Sequence, residues 1–516
     1  VSQFLHVPLT FNLLGWRKIL NGRKMNKYLF ISLVIFSQIA ICCQAEVMAD
    51  EATRLQVAVE QGLRQPVVFE NEAVPTFSVL DRLSFYKVPG LSFALIANGK
   101  VAWSNGYGNL SSSSDKPVTR NTVFQAASLA KPVTAFAIMR MHDKGKIDIN
   151  KPINAYLKSY QLAGAQPGAE KLISFENLLN HSSGLSAGGY MGYAQGDAIP
   201  TDVQTLLGQE PANTKAVTVE LAAGKQVMYS GAGYTVAEVA LQDEFGKPFE
   251  QLMDTWVLQP LNMLHSSFDM AYPQRDDIEI ALGHDITGVA IEGGWRVHPE
   301  QAAAGLWSTA TDLANLAVEL TKGYHGKSDV ISQRSARQML APVKPGEDLS
   351  TYFGGQPAMT FVTDGEGERF LFKHNGGNSG YRSFMLMYPE NGDGAVFLTN
   401  SDAGFSVGFD MIRAASAVYN WPDYKAKAYK RRKVDRIQQR RLVGDYEFEN
   451  GLQVSLLNSE LADGIAIKFP NGDIYPLSAV EDKHQYVHQD SGLEVSFIDT
   501  DGQLSVFLYN QTALKK

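Results

Sequence analysis

Phe124-Gln-Ala-Ala-Ser-Leu-Ala-Lys-Pro132 is the stretch on which the reading of this chain turns. It leads from a short apolar segment into a helical one and sets Ser128 three residues before Lys131. Beyond Ser128, residues Leu129, Val133, Phe136 and Ala137 recur at helical spacing, and the pattern runs to Met141 before Gly145 stops it. Pro132 is tolerated only in a first turn, so the helix is expected to begin close to Ser128. Residues three apart share a helix face with about 5 to 6 Å between their Cβ atoms, which is reach for proton transfer. A serine at that place also gains from the positive end of the helix dipole, and its own backbone N–H is free to stabilise an oxyanion. A lysine ammonium cannot take a proton. The site must therefore also lower the lysine pKa, by desolvation or a cationic neighbour, before the serine becomes nucleophilic.

The spacing alone is not specific, because the chain contains it three times. Ser84 and Lys87 sit just before Val88-Pro-Gly90, and Ser113 and Lys116 lie in the polar run Ser111-Ser-Ser-Ser-Asp-Lys-Pro117, which reads as a loop. Neither opens an apolar helix, so Ser128 and Lys131 are the pair carried forward.

Around this stretch the text divides into an α+β region and a later all-β one. Leu91 to Ser104 alternates about Asn98-Gly99, the signature of a hairpin. A mixed segment follows, with helical patterns at 175–180, 235–245, 249–257 and 309–321 (Thr309 or Thr311 as cap) and a Gly-rich loop at 184–196. Strands return at 370–373, 381–388 and 394–398, which suggests an α/β (α+β) sheet whose first and last strands meet. Composition shifts at Tyr424: 424–441 is a basic linker, and 442–516 carries strand-length segments separated by Asn450-Gly, Asn471-Gly, Ser491-Gly and Asp501-Gly, expected to form an all-β domain of barrel or meander type. The basic run reads as a solvated helix face rather than a nucleic-acid patch, since the chain carries a net charge of −8.

At the other end, Lys27 followed by the apolar run from Tyr28 to Cys43 and then Gln44-Ala45 reads as a secretory signal cut near Ala45, so residues 1–45 are taken as leader and signal and 46–423 as the hydrolase region. The apolar run is shorter than a membrane span needs. Secretion or a periplasmic location is the expectation, with no stable span after cleavage. Both cysteines, Cys42 and Cys43, fall inside the signal. The exported part would then contain no thiol, which excludes disulfides, thiolate metal sites and cysteine nucleophiles from it; no metal or other cofactor is called for.

Acyl transfer by serine and lysine needs an oxyanion hole and a second proton-handling group. Tyr229-Ser-Gly231 and the strand end Phe372-Lys-His-Asn-Gly-Gly-Asn-Ser-Gly-Tyr381 supply candidates, with glycines that let a substrate approach the backbone. With Ser128-Leu-Ala-Lys131, Tyr229-Ser-Gly231 and His374-Asn-Gly376 in this order, the chain resembles the serine β-lactamase and penicillin-binding-protein superfamily, in the branch of class C β-lactamases, D-alanyl-D-alanine carboxypeptidases and related esterases. Val88-Pro-Gly90, Leu178-Leu-Asn-His-Ser-Ser-Gly-Leu185, Pro260-Leu-Asn-Met263 and Gly305-Leu-Trp-Ser-Thr-Ala-Thr-Asp-Leu313 look familiar from the same branch, over roughly 75–420, and the C-terminal segment looks like an appended lipocalin-like domain. The resemblance implies an antiparallel sheet flanked by helices, with a helical subdomain. It also implies that Ser128 is acylated, Lys131 accepts its proton, Tyr229 shuttles protons to leaving group and water, and His374 gives electrostatic support and positions the substrate. The backbone N–H groups of Ser128 and Gly377 would form the oxyanion hole, with Gly231 and Gly376 beside the substrate.

One departure stands out: Gly231 replaces the asparagine usual in that branch, whose side chain would meet an acyl-amide group. Ester or peptide turnover is therefore expected above β-lactam turnover. The substrate would be a small molecule or short peptide, with cell-wall fragments among the options, and no nucleic acid. Two rival readings are weaker. Gly184-Leu-Ser-Ala-Gly188 matches a nucleophile elbow at Ser186, but a helical pattern precedes it and glycines follow, where the elbow needs strand then helix. A non-catalytic peptide- or cell-wall-binding protein would have no need of Lys131.

Overall fold

The computed structural model describes residues 51–163, 173–186, 188–270, 278–343, 356–434, 436–459, 464–482, 484–500, 503–508 and 511–516. The leader and signal read at 1–45 lie outside the described residues. Ala58–Lys516 form one compact unit; of Val1–Val57 only 51–57 are described, and they are helical.

Two adjacent asparagine and glycine residues set the first hairpin. Asn98 and Gly99 take φ of 52° and 71°, the positive pair that a two-residue turn matched to strand twist requires, and they join β2 (Gly90–Ala97) to β3 (Lys100–Gly108). An earlier short strand, β1 (Val67–Phe69), lies elsewhere. Further along come β4 (Phe124–Ala127), β5 (Leu306–Ser308), β6 (Gln356–Pro357), β7 (Val362–Asp364), β8 (Leu371–Asn378), β9 (Tyr381–Tyr388) and β10 (Asp393–Thr399). The main sheet is antiparallel with order β3-β2-β10-β9-β8-β7-β6, so the earliest hairpin joins the latest strands, as the sequence suggested; Phe93 faces Phe397 in the β2–β10 register.

Helices cover both faces. In chain order these are α1 (Val79–Tyr86), α2 (Ala130–Asp143), α3 (Gly231–Phe245), α4 (Gln301–Ala304), α5 (Ala310–Tyr324) and α6 (Gly404–Val418). The hydroxyl of Thr309 accepts the Asp312 N–H at 3.1 Å and starts α5, the first of the two caps expected. α2, α3 and α5 share one large core with Phe372, Met385 and Val396 of the sheet, while α1 and α6 pack on the opposite face with Phe93, Phe384 and Phe397. The stretch expected as a helix over 249–257 is α-helical at Phe249–Met253 and continues as a wider π turn over Asp254–Leu258.

The C-terminal segment closes into a barrel of eight antiparallel strands, the first (Gly444–Phe448) pairing back to the last (Gln511–Lys515). Closure removes the free edges that an open meander would leave. Its interior is filled by Tyr446, Leu456, Ile467, Tyr486 and Val506, all fully buried. Within the basic run lie β11 (Lys427–Tyr429), parallel to β1, and most of a helix at Arg436–Leu442. Its cations pair with acids: Lys427 with Glu494, Lys430 with Glu481, Arg431 with Glu72 and Arg441 with Asp499. Nearby, Arg82 of α1, 2% exposed, bonds Asp410 of α6 at 2.6 Å and Asp490 of the barrel at 3.2 Å. Among the described residues no helix is long and apolar enough to cross a membrane.

Candidate active site

β4 pairs with β5 through a register shift between Gln125 and Ala127, and Ala127 adopts φ of 51°. A left-handed non-glycine residue costs roughly 1 to 2 kcal/mol and persists only where the surroundings over-determine it. Here the chain reverses at Ala127, so Ser128 stands on a turn and the helix begins at Ala130, two residues later than its periodicity suggested. The Ala126 carbonyl fixes that turn by accepting the Leu129 N–H at 3.1 Å and the Ser383 hydroxyl of β9 at 2.7 Å.

Lys131 is 2% exposed and makes two hydrogen bonds, to Ser128 Oγ at 3.1 Å and to the Ala303 carbonyl of α4 at 2.7 Å. Its ammonium nitrogen lies 4.9 Å from the Tyr229 ring centroid and 5.8 Å from that of Tyr234. Tyr229 precedes α3, whose cap Ser230 accepts the Gly233 N–H at 3.2 Å. That capped start explains why α3 begins at Gly231 although Gly231-Ala-Gly233 gives little helical pattern. His181 brackets Tyr229: its carbonyl accepts the Met228 N–H at 2.8 Å, its Nδ1 accepts the Ser230 N–H at 3.2 Å, and its ring stands 4.5 Å from the tyrosine ring.

His374 lies on β8, 5% exposed, with its ring 6.4 Å from that of Tyr229. Burial, with the Lys131 charge behind it, pushes its pKa down to about 3. The His374 ring is thus neutral at neutral pH, and its Nδ1 has no hydrogen-bond partner among the described residues. Two further buried histidines behave alike: burial and Lys131 push His298 down to about 4 and His181 well below the ordinary imidazole range.

The two glycines of the third motif differ in setting. A β-carbon on Gly376 would fall 2.5 Å from the Ala126 carbonyl oxygen and 3.1 Å from the Ser128 nitrogen, so Gly376 is where β8 presses against the turn that carries Ser128. Gly377 is exposed, and a β-carbon there would meet nothing closer than Arg382 Nη1 at 3.4 Å. Gly231 is buried, and its β-carbon would press on Tyr190 Cε2 at 3.0 Å. Ser128, Lys131, Tyr229 and His374, drawn from three separate stretches, thus meet in one place. Ser186 does not: its hydroxyl accepts the Thr218 N–H at 2.9 Å in a loop bridged to 218–219, without the strand and helix an elbow requires. Ser84 lies near the end of α1 and Ser113 in a turn.

A cavity of about 440 Å³ touches His374 from the face of the sheet away from Lys131. It is lined by Lys373, Asn375, Phe384, Phe405, Phe409 and Tyr424, on the α6 side of the sheet, because alternate residues of β8 face opposite ways. Among the described residues no group of three or more His, Cys, Asp and Glu side chains could hold a metal ion.

Reading by motif passed over His298, Glu238 and Glu300, all buried around α4, and took His181 only as part of a familiar stretch. The one available signal was the run His298-Pro-Glu-Gln-Ala-Ala-Ala304, titratable residues set against an apolar triplet without helical or strand periodicity.

Comparison with known proteins places the chain in a family. The beta-lactamase family model matches residues 78–419. Penicillin-binding protein 4* of Bacillus subtilis is 24% identical over 392 residues, covering 70% of this chain and 81% of that protein. Among solved structures, the octameric penicillin-binding protein homologue from Pyrococcus abyssi aligns with a TM-score of 0.58 at 20% identity, over 85% of this chain and 98% of that one. The D-amino acid amidase from Ochrobactrum anthropi aligns at 0.53 with 20% identity, over 71% and 99%.

Proposed function

The chain belongs to the beta-lactamase family, and from that premise we propose that it is a serine hydrolase that opens an amide or ester bond through an acyl-enzyme on Ser128. The observation that carries this is the buried Lys131 within hydrogen-bond distance of Ser128 Oγ, with no carboxylate partner among the described residues.

Ser128 Oγ attacks the substrate carbonyl as its proton passes to Lys131 Nζ. The resulting oxyanion takes hydrogen bonds from the Ser128 and Gly377 N–H groups, a contribution worth roughly 3 to 4 kcal/mol per donor in other acyl transferases. Collapse expels the leaving group, protonated through Tyr229, and water then attacks the ester with the proton path reversed. The Ala303 carbonyl holds one lysine hydrogen throughout, which leaves the nitrogen lone pair for the serine.

Substrate choice is read from Gly231. A carboxamide there would need space that the Tyr190 ring fills, and Tyr190 is held by a 2.9 Å hydrogen bond between its hydroxyl and Thr235 Oγ1. The site lacks that means of pairing an acyl-amide group, so we rank esters and short or D-amino-acid peptides, cell-wall fragments included, above β-lactams. Export through the leader at 1–45 belongs to the same proposal and is tested by N-terminal sequencing of the secreted protein.

Intact-mass detection of an acyl-enzyme across a penicillin, a D-Ala peptide and short nitrophenyl esters is the deciding experiment. A Ser128 adduct with rapid ester turnover is the expected result. Fast penicillin hydrolysis without esterase activity overturns the ranking. A Ser128 never labelled by fluorophosphonate or penicillin makes the protein a binding module on this fold.

A further inference from the structure

The base of the proposed mechanism is held by a four-residue helix. The last three carbonyls of α4 fan out to the site: Ala302 accepts the Thr134 hydroxyl of α2 at 3.4 Å, Ala303 accepts Lys131 Nζ at 2.7 Å, and Ala304 accepts Asn378 Nδ2, one residue beyond Gly377, at 3.2 Å. A helix this short has little stability of its own, so its placement depends on what ties it down.

At its other end two side chains do so: Gln301 of α4 itself donates from Nε2 to the Phe268 carbonyl at 2.5 Å, and a carboxyl group from α3 accepts from the helix. Glu238 projects from α3, nine residues beyond Tyr229, is fully buried, and accepts the Ala302 N–H at 2.9 Å with Oε2. Its Oε1 has no hydrogen-bond partner, and neither carboxylate oxygen of the adjoining, equally buried Glu300 has one. Among the described residues no cation pairs with Glu238, and the charged groups that act on it are acids: Asp202, Glu300 and Glu250. A charged carboxylate so placed would be unsupported, whereas a neutral one still has the oxygen needed to accept an N–H. We propose that Glu238 is a positioning residue for Lys131, holding α4 so that the Ala303 carbonyl orients the lysine nitrogen toward Ser128. Burial pushes the Glu238 pKa well up, in keeping with a neutral side chain, and Glu300 up to about 7. What α3 contributes is thus both the tyrosine before its first turn and, further along, the acid that fixes the base.

This inference rests on the Ser128 and Lys131 reading, and its test separates the two. Glu238→Gln keeps an oxygen for the Ala302 N–H, and Glu238→Leu removes it at similar volume. In the full chain, the fluorophosphonate labelling rate of Ser128 is measured against pH, together with hydrogen exchange at the Ala302 amide. For the leucine variant the expected result is faster exchange at Ala302 and labelling slowed by about tenfold or more while the protein stays folded. The glutamine variant should label within a few-fold of wild type with the same pH profile. A folded leucine variant that labels at the wild-type rate overturns the proposal. So does a glutamine variant as slow as the leucine one, because charge would then be the requirement. If wild type itself is not labelled, the hydrolase reading fails, and a crystal structure of Glu238→Leu decides this one: an unmoved Lys131 Nζ and Ala303 carbonyl overturns it.

Discussion

Gly376→Ala and Gly377→Ala add the same methyl group to adjacent residues of β8 and should have opposite outcomes. At Gly376 the new carbon would stand 2.3 Å from Ser383 Oγ and 2.5 Å from the Ala126 carbonyl oxygen. To restore even a tight contact of 3.0 Å, the hydroxyl must retreat by about 0.7 Å and the carbonyl by about 0.5 Å. Ser383 can rotate, at the loss of its hydrogen bond to Ala126. The carbonyl cannot: it belongs to the backbone turn that presents Ser128, and its shift carries the Ser128 N–H, the proposed oxyanion donor, with it. Overpacking of this kind costs roughly 1 to 3 kcal/mol in stability, and displacement of a reacting atom by about 1 Å costs on the order of a hundredfold in rate. At Gly377 the nearest atom, Arg382 Nη1, is the flexible end of a side chain at 3.4 Å. Thermal melts and second-order labelling of Ser128 by fluorophosphonate are the assays. Gly376→Ala should melt several degrees lower and label at least tenfold more slowly, Ser383→Ala should not rescue it, and Gly377→Ala should stay within a few-fold of wild type. Equal effects at the two positions would refute the claim that β8 presses on the nucleophile turn through Gly376.

Other outcomes follow from the same geometry. Gly231→Asn alone should slow ester turnover, because its β-carbon meets the Tyr190 ring; Tyr190→Ala in addition should relieve this and raise acylation by a penicillin, measured as the ratio of the two rates. Around the site, buried histidines and acids pull stability against pH in opposite directions between about 4.5 and 6.5. His181, His298 and His374 have lowered values, so their contribution is lost as pH falls below 6.5, whereas Asp202, Glu238 and Glu300 have raised values, so theirs is lost as pH rises from their ordinary range. Removing one acid by Glu238→Gln should therefore make stability fall by about 1 kcal/mol per pH unit of acidification relative to wild type, read from denaturant midpoints. Asp410→Ala takes the buried partner from both Arg82 and Arg413, while Asp490 still pairs with Arg82, and should cost about 3 kcal/mol, seen as a drop in melting temperature with Ser128 labelling unchanged in the folded protein.

Much of this architecture could be read along the chain because local chemistry and tertiary context agree. Asn98-Gly99 has one economical hairpin geometry, Thr309 is a cap whichever surface its helix covers, and the Asn-Gly turns of the C-terminal region allow few alternatives to strand reversal. Ser128, Lys131, Tyr229 and His374 were legible because each belongs to a short ordered motif. What escaped were features that exist only between segments. The left-handed Ala127 is imposed by β5, the β8 contact and the Ser383 hydroxyl, and nothing in Phe124-Gln-Ala-Ala predicts it. Glu238 sits in a helix buried on nearly every side, where a glutamate has no amphipathic pattern to mark it as wrong. His298 and Glu300 acquire meaning only once α4 is seen to hold Lys131.

The short ladder of β1 with β11, reinforced by Arg82 reaching both Asp410 and Asp490, makes the basic run a seam rather than a tether. A barrel on a leash would sweep a volume and raise the local concentration of anything it carried. Fixed by this seam, the barrel belongs to the same compact unit as the sheet and has no independent sweep.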